Sequence, residues 1–418
     1  MNAIRKEILR YPRSPELQFP NGSCHPKRRD HLFYQVLKAF VILAMGVAFV
    51  PPLAAAAAEP PVLPAPTGKY AVGRTTVYMV DVSREDLRGT QKDHKREFWS
   101  QIWYPAQSGP KGDHSAWMFP EWVRLGADYH EFLAKSPDPL ARDAQKYLAS
   151  IVVHSREDVS LASSPERFPV ILLAPGSISF PSKYTSLAED LASHGFVVVG
   201  DVPVGSGITV PFPAGNITPG YRGEMFSLWA GDLSYELDQL QVWNETKGHR
   251  FFGRVDLSRI GAFGHSAGGL IVARMPRLDK RLKAIALLDP GYVDPEDAQA
   301  LPVLILKSDH QDSPNTREKA RSETEYAQKA TPGIQLKLTG AEHANFTDLG
   351  VIPGIATSSY PSGKPIFSHP VDGQAFIAAT RAVLREFFGQ YLMGKPSELL
   401  VKGSADHPLL TVEKNPVF

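Results

Sequence analysis

The second half of the chain carries the three residue types that nucleophilic attack on an acyl carbon needs: Ser266, then Asp289, then His343. A serine hydroxyl is a poor nucleophile until a neighbouring base takes its proton, and a histidine oriented by a carboxylate is such a base. Ser266 is the middle residue of a Gly-x-Ser-x-Gly motif bounded by Gly264 and Gly268. That motif is typical of a sharp strand-to-helix turn that exposes the hydroxyl. The pattern therefore predicts a serine nucleophile.

The base is predicted from its place in the chain. His343 directly follows the last predicted strand, where the histidine of a Ser, Asp, His order is expected. His265 adjoins the serine, and we expect the turn to point it away, so we interpret it as structural. Two further histidines remain alternatives for the base, His310 and His369.

Two aspartates are candidates for the acid that orients the histidine. Asp289 ends the strand after the motif, and Asp309 ends the next strand, which is the commoner position of the acid in sheets of this kind. Spacing alone leaves this choice open. The stretch around Asp309 also contains a histidine and a second aspartate, but a solvated loop explains it better than a metal site.

Stabilising the oxyanion of a tetrahedral intermediate takes two N–H donors. Ala267, the residue after the predicted nucleophile, supplies one of them. The other should come from the turn that follows the apolar run 168–174. Pro175 has no N–H, so Gly176 or Ser177 must donate.

These residues need a framework that brings strand ends together. Short apolar runs alternate with helical patterns in the second half of the chain, which is typical of an α/β protein with a mostly parallel, doubly wound sheet. Residues at the carboxyl ends of such strands converge on one crevice. The predicted strands are 168–174, 196–200, 255–264, 284–288, 302–306 and 334–338, and the predicted helices are 184–194, 224–244, 268–275 and 380–392, the last of them beginning nearer Gly373.

The region before this framework divides in two. Residues 70–82 and 98–104 alternate apolar and polar side chains, so they are predicted to open the sheet as antiparallel strands. Residues 110–163 contain helix-like segments, and we interpret them as a lid-like insertion out of the sheet. Four large apolar residues there are candidates for binding substrate, although a packed subdomain explains them equally well: Trp117, Met118, Phe119 and Trp122.

The first 58 residues have the composition of an export signal. They hold eight lysines and arginines against three acids, and a basic stretch precedes an apolar run and an alanine-rich segment that ends at Ala58. We expect cleavage near Ala58 and a periplasmic or secreted protein, with an uncleaved anchor as the alternative. Residues 59–69 are predicted to be a Pro-rich linker, 70–395 the catalytic domain and 396–418 a C-terminal tail.

Charge and cysteine content narrow the kinds of partner. Beyond residue 58 there are 37 basic and 41 acidic residues, which argues against nucleic acid as a partner. Cys24, the sole cysteine, lies in the predicted leader, so we expect the mature chain to have no disulfide and no thiolate metal site. We expect no cofactor and no metal, and a monomer whose peripheral contact with a membrane is left open.

Four stretches resemble the secreted platelet-activating factor acetylhydrolase family of α/β-hydrolases, in its bacterial form. They are residues 184–196, 256–269, 284–289 and 343–346. The resemblance implies an α/β-hydrolase fold with Ser266 as nucleophile and His343 as base. It favours Asp289 over Asp309 as the acid, and it implies Ser177 as the second oxyanion donor.

Together these observations predict an exported serine hydrolase that cleaves a small-molecule or lipid carboxylic ester through an acyl-enzyme intermediate. Members of the family remove short or oxidised acyl groups from phospholipids, which implies short-acyl or phospholipid-like acetyl esters here. Pro175, Ala267 and the loop after Val199 depart from the family's pattern and alter the shape of the pocket. Amides, lactones or polyesters are alternative substrates for the same mechanism, and a binding protein without activity is a further alternative.

Overall fold

The computed structural model describes the chain from residue 59 to residue 414 with short gaps. It covers residues 59–85, 95–107, 109, 112–119, 122–123, 133–134, 136–206, 208–213, 215–217, 225–309, 313–359, 363–370, 372–403 and 405–414. The predicted export signal, residues 1–58, lies outside the described residues. Within them, no helix is both long enough and apolar enough to cross a membrane.

Most of the strands are short, and those in the centre of the sheet are mostly buried on both faces. They are β1 (Ala71–Glu85), β2 (Lys95–Ala106), β3 (His114–Ala116), β4 (Val152–Glu157), β5 (Phe168–Ala174), β6 (Val197–Asp201), β7 (Val210–Phe212), β8 (Gly215–Ile217), β9 (Val255–His265), β10 (Leu282–Leu288), β11 (Val303–Lys307), β12 (Gly333–Leu338) and β13 (Leu410–Lys414).

Eleven of these strands form one sheet, in the order β13-β12-β11-β10-β9-β5-β6-β2-β1-β4-β3. The six neighbours from β12 to β6 are all parallel to one another, and β2 then joins β6 in antiparallel fashion. The predicted parallel, doubly wound α/β sheet is confirmed, and its six core strands agree with the prediction to within one or two residues. Strands of a parallel sheet are mostly apolar in sequence, because helices cover both faces of the sheet.

The helices lie between the strands in the chain. They are α1 (Ala144–Ser150), α2 (Thr185–Ser193), α3 (Met225–Glu245), α4 (Ala267–Leu278), α5 (Pro314–Lys329), α6 (Pro353–Ala356), α7 (Gly373–Met393) and α8 (Leu399–Lys402). Four of these were predicted, and α5 was not. Its mostly polar sequence leaves little apolar periodicity to read.

Two apolar clusters sandwich the sheet. On one face, Leu187 and Leu191 of α2 pack with Phe387 and Phe388 of α7. On the other, residues of α3, α4 and α5 form a second cluster that includes Trp229. Because both faces are buried, the strand ends are the part of the sheet left to carry polar chemistry.

The interpretation of residues 110–163 as an insertion out of the sheet is wrong in part. β3 and β4 both come from this region and form one edge of the sheet, where β4 pairs in parallel with β1. The alternation of buried and partly exposed residues along β4 is that of a strand with one face buried rather than of a lid.

The predicted linker and tail also make ordered contacts. Arg381 of α7 donates hydrogen bonds to the carbonyl oxygens of Pro64 and Ala65, and the side chain of Leu63 is buried. At the other end of the chain, β13 extends the sheet by pairing with β12. The Pro-rich stretch is therefore docked on the domain rather than extended away from it.

Asp348 ties three parts of the fold together. Its carboxylate accepts the backbone N–H of Ser186, near the start of α2, at 3.2 and 3.3 Å, and the indole N–H of Trp117 donates to it at 3.4 Å. The first turn of a helix has N–H groups without intrahelical acceptors, and a carboxylate there satisfies them. Asp348 is fully buried, and this burial raises its pKa to about 7.

We expect Asp348 to make the protein less stable as pH rises. Its pKa is higher in the folded protein than in the unfolded chain. The loss of stability caused by ionising the buried carboxyl is therefore absent below about pH 4 and complete above about pH 7. Relative to wild type, Asp348→Asn should therefore gain up to about 4 kcal/mol in the free energy of unfolding across that window. Urea unfolding at several pH values measures this. Asp113→Asn, at an exposed aspartate, is the control, and parallel curves for wild type and Asp348→Asn would contradict the prediction.

Candidate active site

The motif around Ser266 forms the predicted turn between β9 and α4. Ser266 has φ 56° and ψ −121°, a conformation that residues other than glycine rarely adopt. A Cβ atom at Gly264 would lie 2.2 Å from the carbonyl oxygen of Gly268, and one at Gly268 would lie 2.0 Å from that of Ala174. Both positions therefore require glycine, and the tight approach of helix and strands holds Ser266 in its strained conformation.

The structure brings His343 against Asp289. His343 Nδ1 lies 2.5 Å from Asp289 Oδ2, and the aspartate is fully buried while half of the histidine side chain is exposed. Asp309, the alternative acid, instead interacts with Lys337 and accepts the backbone N–H of Gly340. Of the two candidates, Asp289 is thus the one in contact with the histidine.

Asp289 is held from several sides. Its own backbone has φ 38°, and its N–H donates to the carbonyl oxygen of Leu306 at 2.8 Å. The hydroxyl of Ser308 donates to Oδ2 at 3.0 Å, and Lys319 Nζ donates to Oδ1 at 2.7 Å. A buried carboxylate needs such partners, because an unpaired charge in the interior is costly.

Lys319 contacts Asp289, and the sequence did not indicate this contact. It lies on α5, the helix that was not predicted, and its side chain is 17% exposed. Glu323, one turn further along the helix, lies 3.7 Å from the same amine. The only sequence signal was the Lys-x-x-x-Glu spacing on a polar helix, and nothing in that spacing indicates which strand end the lysine reaches.

His265 links the base to the opposite side of the site. Its Nδ1 lies 2.9 Å from the hydroxyl of Tyr184, and its Nε2 lies 2.9 Å from the carbonyl oxygen of His343. Burial holds the pKa of His265 well below its usual range, with the neighbouring His343 acting in the same direction, so the ring is neutral. A neutral ring can accept from Tyr184 and donate to His343, which fixes the backbone that carries the base.

The turn after β5 contains the predicted oxyanion donors. The N–H of Gly176 donates to the hydroxyl of Tyr184 at 3.1 Å, so that donor is already engaged. Ser177, the next residue, is exposed and remains the candidate in this turn. Ala267 is the first residue of α4, where the N–H has no intrahelical acceptor.

The four apolar residues of the segment 117–122 are less accessible than a substrate-binding role suggests. Trp117, Met118 and Trp122 are buried in the core, and Phe119 is half-buried against Trp99. Trp122 also packs against Phe180, with ring centroids 5.5 Å apart. This burial is typical of core residues, and direct contact with a substrate stays a prediction.

Of the two alternative histidines, His369 lies in the described part of the chain. His369 lies near Glu342, with 3.6 Å between its Nε2 and the carboxylate, and His310 lies outside the described residues. Within the described ranges, no group of three or more His, Cys, Asp or Glu residues is arranged to hold a metal ion.

Comparisons with known proteins point to one family. The sequence model of the family described as platelet-activating factor acetylhydrolase, isoform II, matches residues 55–201. A platelet-activating factor acetylhydrolase from Cavia porcellus is 24% identical over 268 residues, which cover 54% of this chain. Over these matched regions the chain is similar to the platelet-activating factor acetylhydrolase family. The matched region spans 58% of the length of the Cavia porcellus protein, and the resemblance noted in the sequence is confirmed.

A solved structure agrees with the fold. The ferulic acid esterase from Streptomyces cinnamoneus is 26% identical to this chain and superposes on it with a TM-score of 0.67. The superposition covers 85% of this chain and 99% of the esterase. The α/β-hydrolase fold implied by the sequence motifs is therefore confirmed.

The choice between the two aspartates can be tested directly. Asp289→Asn keeps the shape of the side chain but can place its amide NH2 group, instead of an oxygen, against His343 Nδ1. The kcat for an ester substrate should therefore fall on the order of 10⁴-fold. Asp309→Asn is the matched control and should cost far less, because Asp309 contacts Lys337 and Gly340 instead. Steady-state kinetics of both variants measure this, and a larger loss in Asp309→Asn would show that the acid is assigned wrongly.

Lys319 should matter through Asp289. Lys319→Met removes the cation that pairs with Oδ1, so kcat should fall about tenfold, and stability should fall on the order of 3 kcal/mol. Lys319→Arg keeps the charge and should recover most of kcat, while KM changes little in either variant. Lys329→Met, on the same helix but in an exposed pair with Glu296, is the control. Equal kcat values for Lys319→Met and wild type would contradict the prediction.

Proposed function

We propose that this protein hydrolyses carboxylic esters, with Ser266 as the nucleophile, His343 as the base and Asp289 as the acid. The observation that carries the proposal is the contact of His343 with Asp289 at the end of β10, next to β9, which ends directly before Ser266. Its relatives' names support the same class of reaction, since one is an acetylhydrolase and another an esterase.

The first half of the reaction forms the acyl-enzyme. Ser266 Oγ attacks the carbonyl carbon of the ester, and His343 takes the hydroxyl proton. The N–H groups of Ala267 and Ser177 donate to the oxyanion as the carbonyl becomes tetrahedral. The intermediate collapses, the bond to the alcohol breaks, and His343 gives its proton to the leaving oxygen.

The second half releases the acid. Water attacks the acyl carbon, His343 takes a proton from that water, and Ser266 Oγ leaves and regains the proton. Throughout both steps Asp289 holds the imidazole through Nδ1 and stabilises it when it is charged. Lys319 and Ser308 keep the two carboxylate oxygens in place.

We further propose short-acyl esters as substrates, including phospholipid-like acetyl esters. The name of the Cavia porcellus relative refers to removal of an acetyl group, and that of the Streptomyces cinnamoneus enzyme to an aromatic acid. Ala267 beside the nucleophile leaves room there, whereas a closed pocket discriminates against each methylene it cannot accommodate. Export to the periplasm or beyond, a monomeric state and peripheral contact with a membrane belong to the same proposal.

The proposal is tested by Ser266→Ala together with a panel of esters. Loss of the nucleophile should lower kcat on the order of 10⁶-fold, by analogy with serine proteases. In the wild type, kcat/KM should be highest for esters between acetate and hexanoate. An optimum at dodecanoate or longer would contradict the short-acyl preference, and undiminished activity in Ser266→Ala would contradict the mechanism.

A further inference from the structure

Ile178 has a backbone conformation that its side chain makes unfavourable. Its φ is 53°, in the left-handed region, and a β-branched residue is a clear outlier there. The residue is also 57% exposed, so burial in the core does not offset the strain. Strain of this kind is found where the surroundings over-determine a local geometry, commonly at ligand-binding sites.

The neighbours of Ile178 hold it in this conformation. Its N–H donates to the carbonyl oxygen of Ser206 at 3.2 Å, and its own carbonyl accepts Lys183 Nζ at 3.0 Å. Two residues further on, Phe180 is buried against Trp122 and also lies beneath the Lys183 amine. The turn is therefore anchored on both sides of Ile178, while the isoleucine itself is exposed to solvent.

Ile178 belongs to the turn that approaches Ser266. Ile178 follows Ser177, the candidate oxyanion donor, and lies two residues after Gly176. A Cβ atom at Gly176 would stand 3.2 Å from that of Ser266, and two residues span at most about 7 Å. An exposed aliphatic group therefore stands at the rim of the crevice in which the ester would bind.

We propose that Ile178 is a specificity residue that contacts an apolar group attached to the scissile ester. This inference rests on the proposed ester hydrolysis at Ser266 and adds the class of substrate group that the rim selects. An aliphatic chain laid against Ile178 removes the exposed surface of both from water, which gains binding free energy in proportion to the area covered. The smallest esters do not reach the side chain and gain nothing from it.

The test compares Ile178→Gly and Ile178→Ala on three esters, ethyl acetate, ethyl hexanoate and hexyl acetate. Both variants should lose about fivefold to tenfold in kcat/KM on at least one of the two hexyl-chain esters, and less than about twofold on ethyl acetate. Ile178→Gly should also raise the melting temperature by about 1 to 3 °C, because glycine adopts the left-handed conformation without strain.

Leu278→Ala is the matched control. Leu278 is 66% exposed and ends α4, the helix that begins beside Ser266, so it lies about 18 Å away along the helix axis. It should change none of the three kcat/KM values. Equal losses on all three esters in the Ile178 variants would mean that the residue only supports the turn, and no loss would mean that it touches no substrate; either result overturns the inference.

The two proposals fail in different ways. If the wild type hydrolyses these esters and Ser266→Ala does not, the proposed function stands, and flat profiles in the Ile178 variants refute the specificity role alone. If the wild type and Ser266→Ala have equal activity, the proposed function fails, and the role of Ile178 fails with it.

Discussion

The site depends on how closely α4 can approach the strands β9 and β5. The gap at the turn has no room for a side chain at Gly264 or Gly268, because either Cβ would fall within about 2 Å of a backbone oxygen or carbon. That contact holds Ser266 in a conformation it would otherwise leave, and it places the start of α4 at the carboxyl end of the sheet. The strain at Ser266 is thus sustained by the packing of two buried clusters around the sheet.

A chain of hydrogen bonds then connects the two sides of the crevice. The N–H of Gly176 donates to Tyr184, Tyr184 contacts His265, and His265 contacts the backbone of His343. Burial raises the pKa of Tyr184 to about 12, so its hydroxyl keeps the proton that this chain needs. The oxyanion turn and the base are therefore positioned by one buried network, while Lys319 fixes Asp289 from outside it.

Much of this arrangement could be predicted from the sequence because it follows local rules. The six core strands carry short, mostly apolar runs, and the Gly-x-Ser-x-Gly motif around Ser266 marks the tight turn directly. The choice of Asp289 over Asp309 needed the family resemblance, since both residues end strands and spacing alone left the choice open. The contact of Lys319 with Asp289 could not be predicted, because it depends on how the polar helix α5 packs against the sheet after a loop.

The errors have physical reasons as well. The insertion was inferred from helix-like segments in residues 110–163, and only the pairing of β4 with β1 shows that β4 belongs to the sheet. Trp117 and Met118 suited a pocket wall by residue type; both are buried in the core, where the Trp117 indole donates to Asp348, and their contact with a substrate stays a prediction. Large apolar residues in a polar stretch can equally be core, and single-sequence patterns do not separate the two.

The most direct test of the central claim is labelling with a fluorophosphonate followed by mass spectrometry of the digested protein. Such reagents bond to a serine whose hydroxyl is activated by a neighbouring base. The account predicts one adduct per chain, on the peptide that contains Ser266, and strong suppression of that adduct in Asp289→Asn but not in Asp309→Asn. An unlabelled protein, or an adduct on Ser177 or Ser308 instead, would contradict it.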